Sequence, residues 1–158
     1  MNAQIDAVRK TRNYLLQNIA DLSNDALNEV PAGFNNNIIW NLGHLVAAQQ
    51  GICYLRAGLP AKVDESIIAA YRPGTKPEGK VDDAGIARIK ELLFTTLDEL
   101  EADLAAGTWT QYPAWSTRYG VDIDSIDSAI SFLQFHEGLH SGYIMALKRV
   151  VQPAVAAV

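Results

Sequence analysis

Residues 125–151 read SIDSAISFLQFHEGLHSGYIMALKRVV, and their reading decides the fold. Ile130, Leu133, Ile144 and Leu147 recur at helical spacing and lie on one face. Asp124 or Ser125 caps the start, and Asp127 in the first turn suits the positive end of the helix dipole. Lys148 and Arg149 suit the negative end, the helix closes near Val151, and Pro153 stops it. The same face carries His136, His140 and Tyr143. A spacing of four stacks the two histidines on one side of the helix, about 5–6 Å apart at Cβ.

Three further long helical patterns precede this one. The first runs from about Asn2 to Leu22, with Ile5, Val8, Leu15, Ile19 and Leu22 on one face. SNDAL then breaks the pattern, and VPAGFNNN reads as a loop punctuated by Pro31 and Gly33. The second helix starts among the asparagines at 35–37, runs to about Arg56 and closes at Gly58, with Pro60 beyond. ESIIAAY reads as a short helix and RPGTKPEGK as a surface linker. The third begins at Asp82 or Asp83, buries Ile86, Ile89, Leu93, Leu97, Leu100 and Leu104, and closes at Gly107. TWTQYPAWSTRYGVDID is irregular and rich in aromatics, and no strand pair is convincing. The expected fold is all-α: a single four-helix-bundle domain over residues 1–158, with long connections. Such connections permit parallel neighbours, so an up-down-up-down order does not follow from the pattern.

His44 lies in NLGHL of the second helix, on a face with Trp40, Ala47, Ala48 and Gly51. All three histidines of the chain therefore fall on stripes that face the bundle interior, where facing helices build metal sites. Gly43, Ala47, Ala48, Gly138 and Gly142 leave room beside the rings. Two readings stand. Either these are core histidines bonded to neighbours, or His44, His136 and His140 are ligands of one metal. That every histidine of the chain joins the pattern favours the metal. Three neutral imidazoles leave a divalent ion its full charge and an open position, as in catalytic rather than structural zinc sites. Zn, Ni and Fe all accept imidazole, so the donor type does not choose among them.

HEGLH also matches H-E-x-x-H, the zinc-protease pattern in which the glutamate is general base. Those enzymes take a third ligand downstream, and the 18 residues after His140 contain no Asp, Glu or His. Glu137 points about 100° away from His136 around the helix. It reads as an edge or surface carboxylate, or else as a partner at the rim of the site.

Composition sets the surroundings. At 158 residues the chain is long enough to bury a core. A net charge of −5 without a basic stripe argues against nucleic acid as a partner. No window is apolar enough for a membrane span, and the N-terminus has no apolar core of a secretory signal. The single Cys53, in apolar GICYL, forms no internal disulfide and reads as a small buried hydrophobe. Together these point to a reducing cytoplasm as the expected location.

IIWNLGHLVAAQ in the second helix and FHEGLHSGYIMAL in the fourth resemble the DinB/YfiT-like superfamily. The family pattern has a Trp or other apolar residue about four before the first histidine. A late H-x-x-x-H then precedes a small residue, Gly and an aliphatic. Here Trp40 precedes His44, and His140-Ser141-Gly142-Tyr143-Ile144 follows the later pattern, with Tyr143 where relatives often carry Gln. The resemblance spans nearly the whole chain. It implies a DinB-like four-helix bundle, a homodimer, and a divalent metal ion on His44, His136 and His140. It also implies metal-dependent transferase or isomerase chemistry with a low-molecular-weight thiol such as bacillithiol, mycothiol or glutathione. The expected function is thus metal-dependent thiol transfer to a small-molecule substrate. Trp109, Tyr112, Trp115 and Tyr119 serve either as a pocket wall or else as a loop packed on the bundle or a dimer contact. A stress-related metal-binding or scaffold protein without turnover is one alternative. A metal-dependent hydrolase relying on Glu137 is another.

Overall fold

A computed structural model of the protein describes residues 2–152, so the expected stop at Pro153 lies outside the described residues. Four long helices form the body: α1 (Ala3–Asn18), α3 (Ile38–Cys53), α5 (Asp83–Ala105) and α6 (Ile126–Val151). Two short helices, α2 (Asn24–Asn28) and α4 (Glu65–Tyr71), lie in the connections. Each long helix opens on a side chain that accepts from its orphan amides: Asn2, Asn37, Asp82 and Ser125 respectively. Such a cap stabilises its helix by about 1 kcal/mol.

Around the bundle, α1 packs on α5 and α6, and α3 packs on the same two helices. Two successive pairs of long helices therefore sit across a diagonal, α1 from α3 and α5 from α6, whereas α3 and α5 are neighbours. The connections that join the two diagonal pairs, residues 19–37 and 106–125, cross an end of the bundle, and the longer one between α3 and α5 contains α4, which covers α3. Leu15, Leu42, Leu45, Leu93, Leu97, Ile144 and Leu147 are fully buried between the helices. Each contributes roughly 1.5–3 kcal/mol by leaving water. Helix α3 is buried nearly all round, because α4 covers it opposite the bundle. That position explains a sequence apolar on every side.

Three local expectations need correction. The first helix ends at Asn18, and SNDAL does not merely break it: Ser23 accepts from the Ala26 amide and starts α2. The aromatic stretch contains a minimal antiparallel ribbon, β1 (Trp115–Ser116) with β2 (Asp122–Ile123), and Trp115 faces Ile123. Gly120, at φ 75°, turns the chain between them, a conformation that glycine adopts without strain. On α6 the buried stripe is Ile130, Leu133, Glu137, Ile144, Leu147 and Val151, whereas Tyr143 is 36% exposed. The axis of the stripe passes through position 137, so Tyr143 falls at its rim. Among the described residues no helix is long and apolar enough to cross a membrane.

Candidate metal centre

His44 on α3 and the pair His136 and His140 on α6 meet where those two helices pack. One ligand-capable atom from each ring lies within 4.8 Å of the others. Ring centroids are 4.6 Å apart for His44–His140 and His136–His140, and 5.2 Å for His44–His136. The three could hold a metal ion.

Two of the rings are oriented by oxygen atoms. His44 Nδ1 lies 2.7 Å from the Tyr71 carbonyl at the end of α4. A carbonyl only accepts, so Nδ1 carries the proton and Nε2 keeps its lone pair. Trp40, one turn earlier, stacks on the same ring at 4.9 Å and 11°. His140 Nδ1 lies 2.8 Å from Asn41 Oδ1, and Asn41 is itself anchored by donating from Nδ2 to the Asn37 carbonyl at 2.7 Å. Metal-bound histidines characteristically have this second-nitrogen contact. His136 differs: its buried Nδ1 has no hydrogen-bond partner among the described residues. An unpartnered buried nitrogen beside two oriented imidazoles fits a site that accepts a metal ion.

Electrostatics keep the donors neutral. Burial, then the neighbouring imidazoles, pushes His136 down to about 3. Burial, then His44, pushes His140 down to about 4. His44 is lowered as well, chiefly by burial, against the Tyr71 contact that raises it. The Arg118 guanidinium lowers all three further. Near neutral pH the cluster offers lone pairs rather than protons, the state that metal binding requires.

Glu137 is neither an edge nor a surface carboxylate. It is 1% exposed and its Oε1 accepts from Arg12 Nη2 at 2.6 Å and from Arg12 Nε at 3.1 Å. Burial pushes its carboxyl up, and the Arg12 guanidinium works against that shift. Arg12, with no exposed surface, also donates to Gln49 Oε1 and to the carbonyls of Leu93 and Leu45. Gln49 in turn donates to the Thr96 carbonyl. The glutamate of the H-E-x-x-H pattern is thus committed to the bundle's polar centre. Sequence reading missed Arg12, although a signal exists: it sits at stripe spacing between Val8 and Leu15.

A cavity of about 830 Å³ adjoins the cluster, with His136 in its wall. Ala47, Ala48 and Gly51 leave its floor low, and Trp115, Tyr119 and Phe132 flank it. The expected room beside Gly43 is absent, because the Tyr71 ring fills it. The four loop aromatics divide between the two roles expected of them. Trp109 and Tyr112 donate to the Cys53 and Ile52 carbonyls, satisfying the end of α3. Trp115 and Tyr119 line the cavity. Cys53 is buried, which pushes its thiol up to about 12 and leaves it inert.

No curated protein matches the chain. A family model does: that of the DinB superfamily covers residues 7–144, a span that includes all three histidines and reaches from α1 into α6.

Proposed function

The chain belongs to the DinB superfamily, and from that premise we propose that His44, His136 and His140 bind one divalent metal ion for chemistry on a small molecule in the adjoining cavity. The observation that carries this reading is the convergence of three uncharged nitrogen donors, one of them in the cavity wall. With three imidazoles, a divalent ion keeps its charge and an open position, and so favours deprotonation of a thiol or water that enters. The chain supplies the rest. Tyr71 and Asn41 hold two rings in the tautomer with a free Nε2. Trp40 stacks against His44 and limits its tilt. Trp115, Tyr119 and Phe132 offer an apolar wall that excludes water from a bound ligand.

Among reaction classes, transfer involving a low-molecular-weight thiol has the best support. The cavity wall contains no Asp or Glu, and Glu137 is held by Arg12, so no carboxylate stands ready as general base. A thiol needs no such base beside a divalent ion, whereas the hydrolase reading depends on one. The cavity at His136 also counts against a scaffold without turnover. We further propose a homodimer. Phe135, Leu139, Tyr143 and Val150 are exposed along the outer side of α6, an apolar strip that a second copy would cover.

The test begins with elemental analysis of protein purified without a metal-affinity tag. About one ion per chain is expected, lost in His44→Ala. Metal-loaded protein should then turn over a thiol with a model electrophile, and His140→Ala should not. Absence of metal from both proteins would leave the histidines as packing residues, and equal turnover by both would remove the transferase reading.

A further inference from the structure

Three arginines from three separate segments border the cavity beside the histidines. Arg56 follows α3, Arg72 caps the end of α4, and Arg118 lies in the turn between β1 and β2. Of the four other arginines, Arg9, Arg12 and Arg88 are ion-paired and Arg149, in the last turn of α6, has no carboxylate partner among the described residues. Arg56, Arg72 and Arg118 have no carboxylate partner among the described residues, and no Asp or Glu lines the cavity. The guanidinium of Arg56 lies 4.3 Å from the centre of the Trp115 ring, a stacking that holds its plane against the wall. That of Arg118 lies 5.6 Å from the Tyr119 ring.

This concentration of unpaired positive charge occurs in a chain whose net charge is −5. Guanidinium groups bind carboxylate and phosphate oxygens through paired N–H donors, more strongly than neutral donors do. Phe132, Trp115 and Tyr119 line the same cavity. We infer that the cavity binds an organic oxyanion, a small molecule whose carboxylate or phosphate group engages Arg56, Arg72 and Arg118 while its apolar part rests on those aromatic faces. Carboxylates and phosphate esters share the chemistry recognised here. A volume of about 830 Å³ suits one molecule of drug-like size. The inference deepens the proposed function and rests on it only for what happens at the histidine end of the ligand.

Calorimetric titration tests it, with metal-free and with zinc-loaded protein. The probes are 2-naphthoate, 1-naphthyl phosphate and the uncharged 2-naphthamide. At least one anion is expected to bind roughly tenfold or more tighter than the amide, even without zinc, and to weaken as salt rises. Arg56→Gln and Arg118→Gln should each lose roughly tenfold for that anion, and Arg88→Gln, on the far surface of α5, should lose nothing. Preference for the phosphate or for the carboxylate assigns the subsite to one of the two anion classes. Equal affinity for naphthoate, naphthyl phosphate and naphthamide, no binding of either anion, or full affinity in both arginine variants would overturn the inference. Zinc uptake is scored separately in the same samples. Anion binding without zinc uptake removes the metal reading alone, and zinc uptake without anion preference removes this inference alone.

Discussion

Arg12 brings a guanidinium to the centre of the bundle, with acceptors on α3, α5 and α6. Removing one partner of a buried pair leaves an uncompensated charge, at a cost of about 3–5 kcal/mol. Glu137→Ala should therefore lower stability by about that much, read from urea unfolding. Arg12→Met combined with Glu137→Leu should restore much of the loss, because no isolated charge remains. If Glu137→Ala stays within about 0.5 kcal/mol of the parent, the pair has no such weight. Both residues were partly legible. Ile5, Val8 and Leu15 mark a stripe whose missing member is position 12, and Ile130 and Ile144 flank position 137 by seven on each side. Measuring Glu137 from His136 instead sends it outward, and this misplaced it. A charge at a stripe position announces a buried partner, but spacing within one helix does not say on which other helix that partner lies.

At the level of elements, the junction of α3 and α4 sets the orientation of His44. A Cβ at Gly43 would stand 2.6 Å from the Tyr71 ring, so the two helices approach only because residue 43 is glycine. Replacing a mid-helix glycine by alanine ordinarily gains about 1 kcal/mol. Here Gly43→Ala should instead displace Tyr71, whose carbonyl orients His44, and weaken zinc affinity by about 10–100-fold. Gly51→Ala, on the same helix with nothing within 4 Å of the new Cβ, should gain stability and keep its zinc affinity. Chelator competition and thermal unfolding of the two variants provide the comparison. Undiminished zinc affinity in Gly43→Ala would show that Tyr71 does not position the ring. The four long helices were readable from apolar period and caps, and so was the short ESIIAAY helix, whereas α2 was not. The filling of Gly43 was not readable, since it depends on a ring 28 positions along the chain. The aromatic stretch was ambiguous for the same reason: Trp109 and Trp115 look alike in sequence, and only their partners, the Cys53 carbonyl and the cavity, separate them.

For the whole molecule, periodicity assigned each helix a buried face without naming its neighbours, so four helices were legible and their diagonal order was not. The histidine cluster was legible because its members are few and His136 and His140 carry their own spacing. The outer face of α6 bears on assembly. Light scattering should give about twice the 17.2 kDa chain mass, and Phe135→Glu or Leu139→Glu should return it to one chain with zinc binding intact. A monomeric parent protein would remove the dimer. Arg12 has one further consequence, in the order in which the chain is made. It is synthesised 125 residues before its carboxylate partner, which arrives only with α6. A nascent chain that closed early would enclose a cation without its counter-charge. Closure around Arg12 is therefore expected only once translation has passed Glu137, and a product truncated before α6 should be cut by protease faster than the whole chain.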